Sequence, residues 1–307
     1  MRIAVMGAGG VGGYFGARLV KGGADVTFVA RGAHLAAMRQ NGLSIESAHE
    51  PIHIPSVKAT DDPGTIGPVD LVMFGVKLWD TQAAARSLLP VMGPQTALIS
   101  FQNGVQKDDM LRPIVGDAAL VGGAAYVATT IARPGVIAMT GTMQRLVFGE
   151  YDGRRTPRIE AFHAACRAGG INAEIAADIR RELWEKFTFL TALAGATTSI
   201  RLPLGPIREH PLTRQFLVDL AREVVAVGRA LGVALPADFA EKRIAVADAL
   251  PPDMTASMHH DLVRGNRLEL EWLSGAVVDL GAKASVPTPL NRAVRDILVL
   301  HAGGRRS

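Results

Sequence analysis

The chain has a single cysteine among 307 residues, Cys166, which excludes an internal disulfide and fits a reducing, cytoplasmic setting. Cys166 closes the amphipathic stretch Phe162–Cys166, so it is expected in the core rather than as a nucleophile. Long apolar runs are also missing. The weakly polar segments Ala118–Ala132 and Phe187–Ile200 are too short, and too rich in Gly or Thr, to span a bilayer, so no membrane is expected as a partner. Arg2 followed by apolar residues superficially resembles a secretory leader, but the glycines that follow interrupt any apolar core. Charge is not concentrated either. The net charge is +4 with dispersed basic residues, and the terminal pair Arg305-Arg306 reads as a solvated tail. Without a zinc-finger or RNA-binding signature, nucleic acid is not an expected partner. His259 and His260 diverge by about 100° on a helix of 3.6 residues per turn, so no metal is expected. Internal repeats and low-complexity segments are absent.

What the chain does have is a hydrophobic content of 48% against 20% charged residues, the balance of a globular protein. Its length suits two domains. Glycine is abundant, and its placement at the start is informative. Arg2–Met6 is a short apolar run ending in Gly7-Ala8-Gly9-Gly10-Val11-Gly12, after which Val11, Phe15 and Leu19 keep helical spacing. In strand–GxGxxG–helix order each glycine has a reason. Gly7 turns the chain off the strand, Gly9 admits a pyrophosphate close to backbone, and Gly12 lets the helix pack tightly on the sheet. The helix amino end then offers N–H groups and partial positive charge to phosphate.

Lys21-Gly22-Gly23 stops that helix, and Asp25–Ala30 reads as a second strand ending in Arg31. An acid there would bind a ribose 2′-hydroxyl, whereas a cation suits a 2′-phosphate. A guanidinium binds phosphate bidentately, so NADPH is the expected cofactor. A modest basic balance fits an anionic cofactor and substrate.

Short β-rich runs alternate with helical stretches as far as Phe148, the pattern of a parallel α/β sheet. Helices are expected at His34–Gln40 and Thr81–Leu89. Strands are expected at Leu43–Ser47, Pro51–Val57, Asp70–Val76, Thr96–Phe101, Ala119–Val121, Ala125–Thr130, Val136–Met139 and Arg145–Phe148. Beyond Arg158 helical spacing dominates, in Ile159–Ala168, Arg180–Thr198, Leu212–Leu231, Ala237–Ala249, Thr255–Val263 and Leu268–Ala282, with one strand at Ala173–Ile175. The expected fold is an α/β Rossmann-type dinucleotide-binding domain over residues 1–177, followed by a mainly α-helical domain over 178–307. An apolar helical domain is compatible with a homodimer.

Ligands of open α/β sheets collect beyond the carboxyl ends of the strands. Lys77 follows the Asp70 strand and Gln102-Asn103-Gly104 follows the Thr96 strand. Lys77 suits cofactor phosphate or ribose, and Asn103 can donate an amide to nicotinamide or substrate. Each is also an ordinary polar loop residue in its own right, and Asn-Gly makes a good turn. In the helical half, Lys186 heads the apolar segment Phe187–Ala194. Desolvation there would bring a lysine toward the range useful for proton transfer, while a snorkelling surface lysine fits the same pattern. Asp61-Asp62 and Asp108-Asp109 suit loops or helix starts. Gly265-Asn266 is expected to break the helix after Ser257.

Taken in order, GAGGVG, Arg31, Val-Lys77-Leu-Trp, Gln-Asn103-Gly, Glu-Leu-Trp-Glu-Lys186, and Ser257-Met258 followed by Glu269-Leu-Glu-Trp-Leu-Ser-Gly make the chain resemble the ketopantoate reductase (2-dehydropantoate 2-reductase) family over essentially its full length. The resemblance implies NADPH-dependent reduction of a small 2-ketoacid, in the family's case ketopantoate to pantoate for pantothenate and coenzyme A synthesis. It further implies that Lys186 is the general acid and that Glu269 orients it and holds a substrate hydroxyl. Ser257 would hydrogen-bond substrate, Asn103 would bridge cofactor and substrate, and Lys77 would line the cofactor cleft.

One departure bears on the substrate. The family commonly has asparagines four and eight residues after the lysine, where this chain has Leu190 and Ala194. Four-residue steps keep both near the lysine's face, so the substrate-binding wall is expected to be more apolar. Reduction of a different 2-ketoacid with an apolar side chain therefore stands as an alternative to ketopantoate reduction. An alternative of another class is a non-catalytic NADPH sensor, against which Lys186 with Glu269 argues, since a sensor needs no positioned acid.

Overall fold

The computed structural model of the chain describes residues 1–305, so Arg306 of the basic tail lies outside the described residues. The chain forms two compact units. Met1–Asn103 with Lys107–Glu182 make the first, and Gly104–Gln106 with Leu183 onward make the second.

The first unit holds all ten strands and five helices: β1 (Arg2–Met6), α1 (Gly10–Lys21), β2 (Asp25–Val29), α2 (Gly32–Asn41), β3 (Leu43–Glu46), β4 (Ile52–Ile54), β5 (Lys58–Thr60), β6 (Val69–Phe74), α3 (Thr81–Ser87), β7 (Met92–Ser100), α4 (Lys107–Val115), β8 (Leu120–Arg133), β9 (Val136–Gly149), α5 (Pro157–Ala168) and β10 (Asn172–Ile175). They form one sheet of order β4-β3-β9-β8-β7-β6-β1-β2-β5, with β10 also paired to β9. From β5 to β8 every neighbour is parallel. That run is the Rossmann order, in which the chain winds outward from β1 through β2, then returns to the other side of β1 at β6. Ile3–Met6 and Leu71–Phe74 are buried throughout, as strands covered on both faces must be. Tyr14, Phe15 and Leu19 of α1 pack with Ile3, Val5 and Phe28 in one core cluster, which also buries Cys166.

The expected segments Ala119–Val121 and Ala125–Thr130 fall in one strand, β8, apart from Ala119, which ends a short 3-10 helix, and Val136–Met139 and Arg145–Phe148 fall in another, β9. These two form a long antiparallel ribbon with a register shift between Val127 and Ala128. The polar stretch Thr140–Gln144 is bulged strand, with Gly141 at φ +70°, not a turn. Lys58–Thr60 forms an unexpected edge strand on β2, and α4 begins at Lys107-Asp108, consistent with a helix start for that acidic pair. Asp62 caps a short 3-10 helix by accepting from the Gly64 N–H at 2.9 Å.

α6 (Ile179–Ile200) starts in the first unit and continues in the second, which further contains α7 (Leu204–Glu209), α8 (Pro211–Ala230), α9 (Phe239–Val246), α10 (Ser257–Arg264), α11 (Ser274–Lys283) and α12 (Pro289–Leu298). Its core includes Trp184, Phe187, Leu217, Leu220, Val224, Leu270 and Val294. Proline at the first helical position opens α8 and α12, where a missing N–H costs nothing. α10 stops at Gly265 in the left-handed conformation, φ +71°, as the Gly-Asn pair implied. The expected helix Leu268–Ala282 is instead a 3-10 turn, Leu270–Trp272, and α11, separated at Leu273.

Candidate functional site

The loop from β1 to α1 lies beside the return point between β1 and β6. Gly7 has φ +94°, and a Cβ on it would stand 2.9 Å from the Val76 nitrogen, so both conformation and space require glycine. The Gly7 and Ala8 N–H groups donate to the Val29 carbonyl at 3.2 Å each. A Cβ on Gly12 would overlap the Gly7 carbonyl and approach Val5 Cγ1 at 2.9 Å, and one on Gly10 would reach the Thr129 carbonyl at 2.6 Å. Gly9 differs. A Cβ there meets nothing within 4 Å, so no atom of the described residues explains its lack of a side chain. It is the N-cap of α1, without a side-chain cap and with no acid in the first turn. The helix end, where Val11 sits, therefore keeps its positive potential for an anion, and the residues fit a dinucleotide pyrophosphate.

Arg31 follows β2 as the N-cap residue of α2, with extended backbone and its carbonyl accepting from the Leu35 N–H at 3.3 Å. The side chain is exposed and has no hydrogen-bond or ion-pair partner among the described residues. Three residues on, His34 was not singled out by sequence. Its Nε2 lies 2.9 Å from the Ala8 carbonyl, and its Nδ1 accepts from the Gly135 N–H at 3.1 Å. Burial holds the imidazole below its ordinary pKa, against the raising effect of the Ala8 carbonyl.

The next two strand ends are linked to each other. Gln102 Nε2 donates to the Val76 carbonyl at 2.9 Å and to Thr81 Oγ1 at 2.8 Å, while its Oε1 accepts from Ser100 Oγ at 3.0 Å. Lys77 is thereby anchored through Val76 to the segment carrying Asn103. The Lys77 ammonium is exposed and lies 5.6 Å from the centre of the Trp79 ring, within cation–π range. Asn103 is half-buried and precedes Gly104 at φ +82°, the conformation that makes glycine follow it. Below, Lys107 is fully buried, its ammonium donating to the Ser100 carbonyl and, at 3.0 Å, to the Gly123 carbonyl. Burial lowers its pKa, opposed by the Asp108 carboxylate. Gln102, which the sequence marks as a polar strand-end residue, and Lys107, which it does not single out, support the strand ends rather than offering free donors.

In the second unit, Lys186 and Leu190 are half-buried on α6, and Ala194 is fully buried in the helical core. The expectation that Ala194 lines a substrate wall is corrected in this respect. Helix packing covers its methyl, so only Leu190 of the two offers surface. Glu269 is 7% exposed and occupies the N-cap position of the 3-10 turn Leu270–Trp272, without a side-chain cap bond to it. Ser257 is exposed at the start of α10. That helix is docked on α6 by the preceding Ala256 N–H, which donates to Thr197 Oγ1 at 3.4 Å, and by His259 Nδ1, which donates to the Thr197 carbonyl at 2.8 Å. Thr197 stands eleven residues after Lys186, about three turns, and so on the same face of α6.

One pattern escaped the sequence reading. His49-Glu50-Pro51-Ile52-His53 matches the H-E-x-x-H zinc motif, which binds metal only when helical spacing brings its histidines together. Here Pro51 prevents a helix, and His53 lies in β4 with Nδ1 2.9 Å from Ser44 Oγ. Glu50 pairs instead with Arg18 and Lys21 at 2.6 and 2.7 Å. Among the described residues no group of three His, Cys, Asp or Glu side chains could hold a metal ion, and no helix is long and apolar enough to cross a membrane.

Comparison with known proteins is consistent along the whole chain. Residues 3–153 match the profile described as ketopantoate reductase PanE/ApbA, and residues 178–301 match that of its C-terminal part. A 2-dehydropantoate 2-reductase of Mesorhizobium japonicum is 30% identical over 321 residues, covering 96% of this chain and 95% of its own. The crystal structure of a PanE/ApbA family ketopantoate reductase from Ralstonia eutropha JMP134 superposes with a TM-score of 0.89 at 32% identity, covering 98% of each chain. A D-mandelate dehydrogenase in ternary complex with NADH and anilino(oxo)acetate has the same fold, with a TM-score of 0.89 at 17% identity over 98% of each chain.

Proposed function

The chain belongs to the ketopantoate reductase family of oxidoreductases, and from that premise we propose that it reduces 2-dehydropantoate to pantoate with NADPH. The observation that carries the reading is the glycine turn at the β1–β6 return point, open only at Gly9, with the Arg31 cation, exposed and without a partner among the described residues, at the end of the next strand. A pyrophosphate would take the backbone N–H groups of residues Gly9–Gly12 at the amino end of α1. The Arg31 guanidinium would hold the 2′-phosphate, and Lys77 would line the same strand ends. Asn103 would orient nicotinamide and substrate through its amide.

A reduced nicotinamide supplies the hydride when bound. As hydride reaches the keto carbon, negative charge builds on the carbonyl oxygen. Lys186 would meet that charge with an ammonium hydrogen bond and then give up the proton, so that hydride plus proton turns the ketone into a secondary alcohol. Glu269, held at the start of its 3-10 turn, would favour the protonated lysine and take a substrate hydroxyl, while Ser257 would bind the substrate's polar end.

The half-buried Leu190 favours a second reading, the same chemistry on a 2-ketoacid with an apolar side chain. An apolar wall discriminates weakly against such a substrate, whereas a wall of amides would leave unpaired donors. Initial rates of NADPH oxidation over a panel of 2-ketoacids test both. The highest kcat/KM on 2-dehydropantoate supports the first reading, and the highest on an apolar analogue supports the second. NADPH binding without turnover of any panel member would reject both in favour of a sensor.

A further inference from the structure

Arg31 sits in a segment whose two ends are tied to one residue of the glycine turn. At one end, the Val29 carbonyl accepts from the Ala8 N–H at 3.2 Å. At the other, the His34 ring reaches the Ala8 carbonyl at 2.9 Å. Residues 29–34 therefore form a loop closed on Ala8, with Arg31 inside it and Gly32 at φ +55° allowing the turn into α2.

The second bond of His34 sets its chemistry. The Gly135 N–H can only donate, so Nδ1 carries a lone pair and Nε2 carries the proton given to the Ala8 carbonyl. Both bonds form together only in this neutral tautomer. Gly135 is itself held, its carbonyl accepting from the Ser44 N–H at 3.0 Å and its backbone packed on Ala37 of α2. The hairpin turn thus backs the imidazole from behind.

We propose that His34 is a specificity-determining positioning residue, fixing the spacing between the pyrophosphate-binding turn at Ala8–Gly9 and the Arg31 cation. This rests on the reading of Arg31 as the 2′-phosphate ligand. A cofactor lacking that phosphate needs only the turn, whereas one carrying it must satisfy the turn and Arg31 at once, at a fixed separation. Loss of the His34–Ala8 bond therefore weakens NADPH binding more than NADH binding.

The test is the dissociation constant of each cofactor, measured by titration of the full chain carrying His34→Ala, His34→Gln or His34→Asn. The glutamine amide nitrogen substitutes for Nε2 and keeps the bond to Ala8, while the asparagine oxygen substitutes for Nδ1 and keeps only the bond to Gly135. His34→Ala is expected to lower the NADPH-over-NADH preference about tenfold, the effect of one lost hydrogen bond. His34→Gln is expected to restore most of it and His34→Asn little. If asparagine rescues and glutamine does not, the ring serves the hairpin and the proposal fails; this comparison decides even if the alanine variant does not fold. A wild-type preference for NADPH that survives in all three variants overturns the inference alone. A wild-type chain without that preference overturns the reading of Arg31 and the inference with it.

Discussion

Gly12 of α1 lies so close to the Gly7 carbonyl that a Cβ on it would overlap the oxygen. This contact brings the amino end of the helix onto the end of β1, and it separates two kinds of glycine in one motif. Gly12→Ala forces backbone apart and is expected to cost about 1–3 kcal/mol, as overpacking does, visible as a lowered melting temperature. Gly9→Ala meets no atom of the described residues, so its stability cost is that of replacing glycine by alanine at an N-cap, on the order of 0.5–1 kcal/mol. Its NADPH affinity should nonetheless fall sharply. Equal melting losses for the two variants, with cofactor affinity intact in Gly9→Ala, would remove the pyrophosphate from this turn.

Arg31 is exposed and unpartnered among the described residues, so its replacement disturbs no internal bond. Arg31→Ala is expected to raise the KM for NADPH about 10–100-fold, the worth of a charge-assisted hydrogen bond. The KM for NADH should change little. Parallel steady-state titrations with both cofactors check this, and a similar rise for both would assign Arg31 to something other than the 2′-phosphate.

Lys186→Ala is expected to lower turnover about a hundredfold or more, within the range of general acid catalysis, with the NADPH dissociation constant little changed. Stopped-flow or steady-state rates alongside cofactor titration separate the two effects. Turnover within a few-fold of wild type would exclude Lys186 as the acid.

The neutral His34 clamp has a signature in stability against pH. Burial holds its folded pKa below the ordinary imidazole value of about 6.5, so between the two values the unfolded chain binds more protons. The clamp's contribution is present in full above about pH 6.5 and is lost as pH falls toward the folded value. Between about pH 7 and pH 5.5, the wild-type melting temperature should therefore drop further than that of His34→Asn. Parallel profiles would place the His34 ring's titration outside folding.

How far these features are legible in sequence depends on how local their causes are. The β1–α1 unit and the strand ends at Arg31, Lys77 and Asn103 could be read because apolar runs, glycines and polar terminators lie side by side in the chain. The β8–β9 ribbon reads as shorter strands in sequence because Thr140–Gln144, with Gly141, interrupts the apolar pattern; Thr140 and Gln144 pair with β8 on either side of a bulge. β5 has three residues and no apolar alternation, so its strand character comes from its pairing with β2. α12 is not among the expected helices, although Pro289 at its first position, with Leu290, Val294 and Leu298 behind it, is a signal in the sequence. His34 had none, since its partners lie 26 and 101 residues away. Ala194 shows the limit of periodicity, because helical spacing put it near the face of Lys186 while α6 packing buries it.

In the proposed reaction, hydride passes from NADPH to the keto carbon of a 2-ketoacid while Lys186 protonates the oxygen. The most direct measurement uses NADPH deuterated at the hydride position with 2-dehydropantoate, and locates the label in the product by NMR. Deuterium on the new C–H carbon of pantoate, formed by the wild type and at least about a hundredfold more slowly by Lys186→Ala, is the expected result. NADPH binding with no labelled product from 2-dehydropantoate or from any other 2-ketoacid would contradict it.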